Sequence, residues 1–295
     1  MTQAVLAMLF TQVVWGIGPV FVRTLGLDLG PANSLIIRYV MVSLAYLPFL
    51  MMHGRWRIAR EDWPRLLFLG WVGMFGYNIG SVFGFNHATA GLGGLVIGTQ
   101  PILIALMAAL VNREALTGST IAGLLVAFSG TVMLFWPDLQ AGNTDMVKGA
   151  VMIFGAGIAW SAYVIAARPL IQRYGAMAIT AWSIVLATLP MLLLASPKTP
   201  QAFLNMTARN WLEMAYLGGL STFLASITWN FAAGRLPSAL AGVFLYLVPV
   251  VAVIAGAVLL DEVITVNIVT GGVMVLAGVA IAQAGPALFG KKETA

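Results

Sequence analysis

Arg38 stands within LIIRYVMVSLAYLP (35–48), part of the apolar run 31–52, roughly 10 Å from the outer end of that run at 1.5 Å per helical residue. Two roles are open to it. A guanidinium matches a carboxylate bidentately and can anchor one, or it ties helix ends together. Asn78 and Ser81, three apart, share one helix face. Ser226, Trp229 and Asn230 repeat that pattern at i, i+3 and i+4, and Gln100 sits beside Pro101. Polar stripes of this kind either glue helices together or line a cavity. Trp15 and Trp160 fall in mid-segment, away from the interfacial depth where tryptophan collects. Tyr163 lies one turn from Trp160, and Tyr246 three residues before Pro249. These rings offer stacking surfaces, cation–π faces and hydroxyls. The set suits a small zwitterion, with Arg38 for its carboxylate and π faces or free carbonyls for its ammonium.

Prolines and glycines add hinges. Pro101 and Pro249 are expected near the centres of their helices, each freeing the carbonyl four residues earlier, at Ile97 and Leu245. In lipid such a carbonyl must face protein, water or a ligand. Gly16, Gly18 and Pro19 supply a bend in the first segment.

Missing residues narrow the chemistry. The chain has no cysteine, which removes disulfides, thiolate nucleophiles and iron–sulfur ligation. No Asp or Glu lies inside an apolar run, no HExxH motif occurs, and His53 and His87 sit at segment edges. Intramembrane catalysis and a metal site are therefore not expected, and no cofactor is implied. A sugar-phosphate carrier would need several buried cations where only Arg38 is present.

The scaffold that holds these groups is legible in bulk composition. Charged residues are 8% of 295 and apolar residues 60%, with a mean hydropathy of +0.95. An average soluble chain of this length would carry about 74 charges. The fold class expected is an all-α membrane protein. Ten apolar runs of spanning length lie near 3–24, 31–52, 65–87, 91–112, 118–136, 147–169, 176–195, 210–234, 238–260 and 266–288. Their continuity, without alternation, argues against a β-barrel. With the amino terminus inside, the cytoplasmic connections hold Arg55, Arg57, Arg60, Arg65, Arg113, Arg168, Arg173, Arg235, Lys291 and Lys292. Only Arg23, Lys148, Lys198 and Arg209 fall on the other side, so both termini are expected in the cytoplasm. The bases thus report orientation, and nucleic acid is not an expected partner.

Self-similarity organises the rest. An offset of 148 pairs Gly94 with Gly242, Pro101 with Pro249, Glu114 with Glu262, Thr117 with Thr265, Gly123 with Gly271 and Gly130 with Gly278. An offset of 145 pairs Trp15 with Trp160, Arg23 with Arg168 and Gly30 with Gly175. Two units follow, 1–140 and 141–295, each of five spans. An odd number of spans inverts the second unit, and inverted repeats place substrate near the midplane at their interface, here a central cavity. The spaced glycines fit close packing of helices, and Glu114 and Glu262 fit anchoring at helix ends. Alternating access is the mechanism this favours; a channel or facilitator pore is the alternative.

The ordered motifs resemble the drug/metabolite transporter superfamily, in particular the ten-helix EamA-type exporters. VVWGIGPVFVR (13–23), its mate GIAWSAYVIAAR (157–168), and LIIRYVMVSLAYLP with its arginine carry the resemblance. So do the two segments with a proline, a following glutamate and spaced glycines. The resemblance spans nearly the whole chain. It implies a bacterial-type inner-membrane exporter of small metabolites, most similar to exporters of aromatic and other neutral amino acids. The small four-helix relatives that exchange cationic drugs use a glutamate in the first helix; here Trp15, Gly16 and Ile17 occupy that stretch. The expected partners are a small-molecule substrate and the lipid bilayer, and both monomer and homodimer stay open.

Overall fold

The computed structural model describes residues 2–52, 57–112, 118–141, 143–233, 244–245 and 247–289. Among them all regular structure is helical. Helix α1 spans Thr2–Leu29 and α2 Pro31–Met52. Helix α3, Arg60–His87, opens with a 3-10 turn and is wound as a π-helix over Leu69–Phe75. Then follow α4 (Ala90–Ile97), α5 (Gln100–Asn112), α6 (Gly118–Gln140), α7 (Thr144–Tyr174) and α8 (Ala176–Leu192). A short α9, Thr199–Leu204, precedes α10 over 208–233, whose middle, Tyr216–Leu224, is again a π-helix. Helices α11 (Leu247–Leu260) and α12 (Val266–Phe289) complete the order. Among the described residues five helical stretches are long and apolar enough to cross a membrane: α1, α2, α3, the α4–α5 pair and α7. Tyr246, Gly242, Glu114, Thr117, His53, Arg55, Arg113, Arg235, Lys291 and Lys292 lie outside the described residues.

The surface is apolar, as lipid requires. Leu44, Leu125, Val151 and Val258 are 61, 62, 66 and 72% exposed, values that water would penalise and hydrocarbon does not. Inside, several polar groups pair across helices, as Thr11 with Thr228 and Ser43 with Thr188.

Sharp joints come from glycine where the backbone demands it. Gly30 and Gly175, paired in the sequence, end α1 and α7 with φ of +85° and +84°, a region L side chains avoid. Pro31 then starts α2 in the first-turn position proline favours.

Packing follows a cross-over plan. Helix α1 lies against α10 and α11, while α7 lies against α3 and α5. Helix α2 packs on α8, where the hydroxyls of Ser43 and Thr188 meet at 2.7 Å. Helices α6 and α12 approach backbone to backbone: a Cβ on Gly130 would stand 2.8 Å from the Gly271 carbonyl, and one on Gly278 2.5 Å from that of Gly123. The expected close packing through these four glycines is what the two helices show.

Polar clasps tie the helix ends. At the end of α1, Asn210 Nδ2 donates to Asp28 Oδ2 (2.9 Å), and Thr24 Oγ1 and Arg209 Nε both donate to Glu213 (2.8 Å each). At the end of α7, Arg173 donates to Glu61 (2.6 Å) and Asp62 (2.8 Å), and the Tyr174 hydroxyl to Asp62 (2.6 Å). Glu262 accepts from the Ala90 and Gly91 N–H groups (2.8 and 2.9 Å), an anchor at the positive end of α4.

Candidate functional site

A cavity of about 140 Å³ opens where α1, α3, α7 and α10 converge, closed by residues of α2, α5, α8 and the α11 end. From α1 it receives Trp15, Gly18, Pro19 and Val22, a single helical face at i, i+3, i+4 and i+7. Helix α3 contributes Met74, Tyr77, Asn78, Ser81, Val82 and Phe85 in the same rhythm. Helix α10 differs. Leu217, Ser221, Thr222 and Ser226 reach the wall at steps of four, one and four residues, with Leu217 and Thr222 five apart, the wider turn of the π-helix. Thr222 Oγ1 donates to the Leu217 carbonyl five residues back, at 2.7 Å.

Arg38 is 6% exposed and forms part of this wall. Its Nη2 donates to Asn78 Oδ1 at 2.6 Å, and Asn78 Nδ2 in turn donates to the Met74 carbonyl at 2.8 Å. Asn78 is thereby engaged at both its oxygen and its nitrogen and orients the guanidinium. Arg38 Nε has no hydrogen-bond partner among the described residues, and neither has Ser81 Oγ or Gln100 Nε2, all buried. The Tyr77 side chain lies alongside Ser81 and Gln100. Among the described residues no carboxylate pairs with Arg38. A buried guanidinium remains charged, so it is an unneutralised cation facing a cavity.

The same cavity is lined by an aromatic cluster. Trp15 meets Trp160 edge to face at 6.1 Å, and Trp160 lies 5.3 Å from Tyr77. Trp15 is fixed by its Nε1–H, which donates to the Ser221 carbonyl at 3.2 Å. Of the residues expected from sequence, Trp15, Arg38, Asn78, Ser81, Gln100, Trp160 and Ser226 come together on the wall. Tyr163 and Trp229 do not line it. Tyr163 stacks behind Trp160 at 5.2 Å in the core shared with α8, and Trp229 backs Trp15 at 5.3 Å. Asn230 belongs to α10, its side chain outside the described set, as is Tyr246.

The hinge residues also divide. Gly18 and Pro19 line the cavity, whereas Gly16 faces α11: a Cβ there would lie 2.5 Å from Val251 Cβ. Pro101 does not kink a continuous helix. The chain turns at Gly98–Thr99, and Pro101 sits in the first turn of α5, where its missing N–H costs nothing. Pro249 sits likewise in the first turn of α11. The residues whose carbonyls these prolines were expected to free, Ile97 and Leu245, both line the cavity, and the Leu245 carbonyl accepts from Val248 N–H at 3.2 Å.

Tyr39, Tyr77, Ser221 and Thr222 were not anticipated. Tyr77, Ser221 and Thr222 lie in or beside the glycine-dense stretches GWVGMFGY (70–77) and GGLST (218–222), where the helix winds as π, whereas Tyr39 simply adjoins Arg38.

The sequence profile of the EamA-like transporter family matches twice, over residues 2–136 and 147–283. An uncharacterized transporter of Archaeoglobus fulgidus is 26% identical over 92% of this chain and 95% of its own length. A probable terminal-alkyne amino-acid exporter of Streptantibioticus cattleyicolor is 29% identical, covering 95% of this chain and 93% of that protein. A probable amino-acid metabolite efflux pump of Salmonella typhimurium is 27% identical over 92% of each. A solved crystal structure shares the fold, with a TM-score of 0.62 at 22% identity over 95% of this chain and 97% of that one. The chain belongs to the EamA-like transporter family, and is a multi-pass membrane transporter, not an enzyme.

Proposed function

We propose that this transporter exports small zwitterionic metabolites, aromatic and other neutral amino acids foremost, from a bacterial-type cytoplasm across the inner membrane. One observation carries the reading: Arg38, without a carboxylate partner among the described residues, lines one cavity together with Trp15, Trp160 and Tyr77. That juxtaposition suits a carboxylate joined to a flat apolar body. The names of the Streptantibioticus and Salmonella relatives point to amino acids as cargo of those proteins, and support the same class here.

Mechanistically, the reading is of ten spans in two inverted five-helix units, 1–140 and 141–295, with both termini in the cytoplasm. Residues paired by the internal offsets touch each other: Trp15 with Trp160, Ser43 with Thr188. The glycine contacts of α6 and α12 are reciprocal, as across a two-fold axis. Cavity residues also correspond, Asn78 with Ser226, Ile97 with Leu245 and Gln100 with Val248, each 148 apart. These features support alternating access about a fixed central site.

The test is efflux and competition in proteoliposomes with a panel of labelled amino acids. Saturable transport of aromatic and neutral amino acids is expected, slowed by Trp160→Ala and by Gln100→Ala. Trp211→Ala, whose ring packs on Phe203 away from the cavity, should leave it unchanged. Non-saturating conductance in planar bilayers would overturn the reading in favour of a pore.

A further inference from the structure

The cavity wall is chemically one-sided. Among the described residues Arg38 Nε, Ser81 Oγ and Gln100 Nε2 can all donate hydrogen bonds and all are buried; Arg38 Nε has no partner, and Ser81 and Gln100 have only the Tyr77 side chain beside them. Each unmade bond of this kind is a standing cost that a ligand can recover. A carboxylate, with about four lone-pair sites, can accept from all three. For an ammonium the same wall offers little. Among the described residues, no Asp or Glu lines the cavity. The groups left to an ammonium are uncharged: ring faces such as those of Trp15, Trp160 and Tyr77, the hydroxyls of Ser221, Thr222 and Ser226, and backbone carbonyls at Ile97 and Leu245. The charge balance points the same way. An occupant bearing one carboxylate and no ammonium leaves the site neutral, whereas a zwitterion brings a second cation without a counter-ion into a low-dielectric interior.

We infer that the site recognises its ligand by the carboxylate and an aromatic body, and that the α-ammonium is dispensable: aryl-substituted monocarboxylates are ligands alongside the amino acids. This rests on the cavity being the transport site. Asn78 is then a positioning residue, holding Arg38 Nη2 so that Nε stays free for the ligand.

The experiment titrates the purified full chain with phenylalanine, 3-phenylpropionate (no ammonium) and phenethylamine (no carboxylate). Binding is read by intrinsic tryptophan fluorescence, since two indoles face the cavity, and by the shift in melting temperature. The acid and the amino acid should bind within about threefold of each other, and the amine at least about tenfold more weakly. Arg38→Gln should weaken the acid about tenfold or more and leave the amine unmoved. If that variant does not fold, Gln100→Leu carries the same test with a smaller loss. An amine that binds as tightly as the acid overturns the inference, as does a protein that binds none of the three at millimolar concentration. Failure of the export reading looks different: the acid binds with the expected selectivity, yet no labelled amino acid crosses the proteoliposome membrane saturably.

Discussion

The two π-helical stretches, Leu69–Phe75 in α3 and Tyr216–Leu224 in α10, occupy corresponding places and serve different ends. The first is packed shut. A Cβ on Gly70 would stand 2.6 Å from Leu186 Cβ, and one on Gly73 2.8 Å from Tyr163 Cβ. The second is roomy. Gly219 has nothing within 4 Å of where a Cβ would go, and the nearest atom to one on Gly218 is Val42 Cγ2 at 3.4 Å. Its Ser221 carbonyl is taken by Trp15, and Ser221 and Thr222 reach the cavity. The same backbone irregularity thus serves packing where neighbours fill it and presents polar groups where they do not. Winding alone confers no chemistry; the neighbours decide.

Breaking the packed stretch should cost most. Gly70→Ala forces a methyl into Leu186 and the Ala187 backbone, so a loss of about 1–3 kcal/mol or more is expected. A clear drop in melting temperature of detergent-purified protein would register it. An unchanged melting temperature would mean the stretch is looser than described. Thr222→Val keeps the shape but removes the bond to the Leu217 carbonyl, for about 0.5–1.5 kcal/mol in the same measurement. Gly219→Ala should leave stability unchanged or raise it by up to about 1 kcal/mol, because a helical glycine gives way to alanine in open space. Equal losses at Gly70 and Gly219 would abolish the contrast.

Much of this was readable from residue types. Trp15 and Trp160, matched by offset and placed in mid-segment, do meet, and Gly30 and Gly175 do share a positive φ. The glycine pairs of α6 and α12 also pack as their spacing implies. Winding was not readable. Hydrogen-bond register is set by tertiary neighbours, so Ser221 and Thr222 turned cavity-ward without a periodic signal, whereas Tyr77 keeps the helical rhythm of Asn78 and Ser81. The break at Gly98–Thr99 hid behind Pro101, since a proline at a helix start and one at a kink look alike in sequence. Aromatic type likewise says nothing about side: Tyr163 and Trp229 back the wall, whereas Trp15 and Trp160 form it. Arg38 stood out alone, but its partner Asn78 lies 40 residues away.

The cross-over packing of α1 sets an order of events at the ribosome. Thr11 bonds to Thr228, 217 residues later, and Thr24 to Glu213, 189 later. At about 5–20 residues per second, the first helix waits roughly 10–40 s in the bilayer before those partners are synthesised. Its buried hydroxyls and the fully buried Gln12 must meanwhile be satisfied by the helix's own carbonyls, water or the insertion machinery. Nascent chains arrested before α10 should therefore expose α1 to cross-linking, and release should protect it.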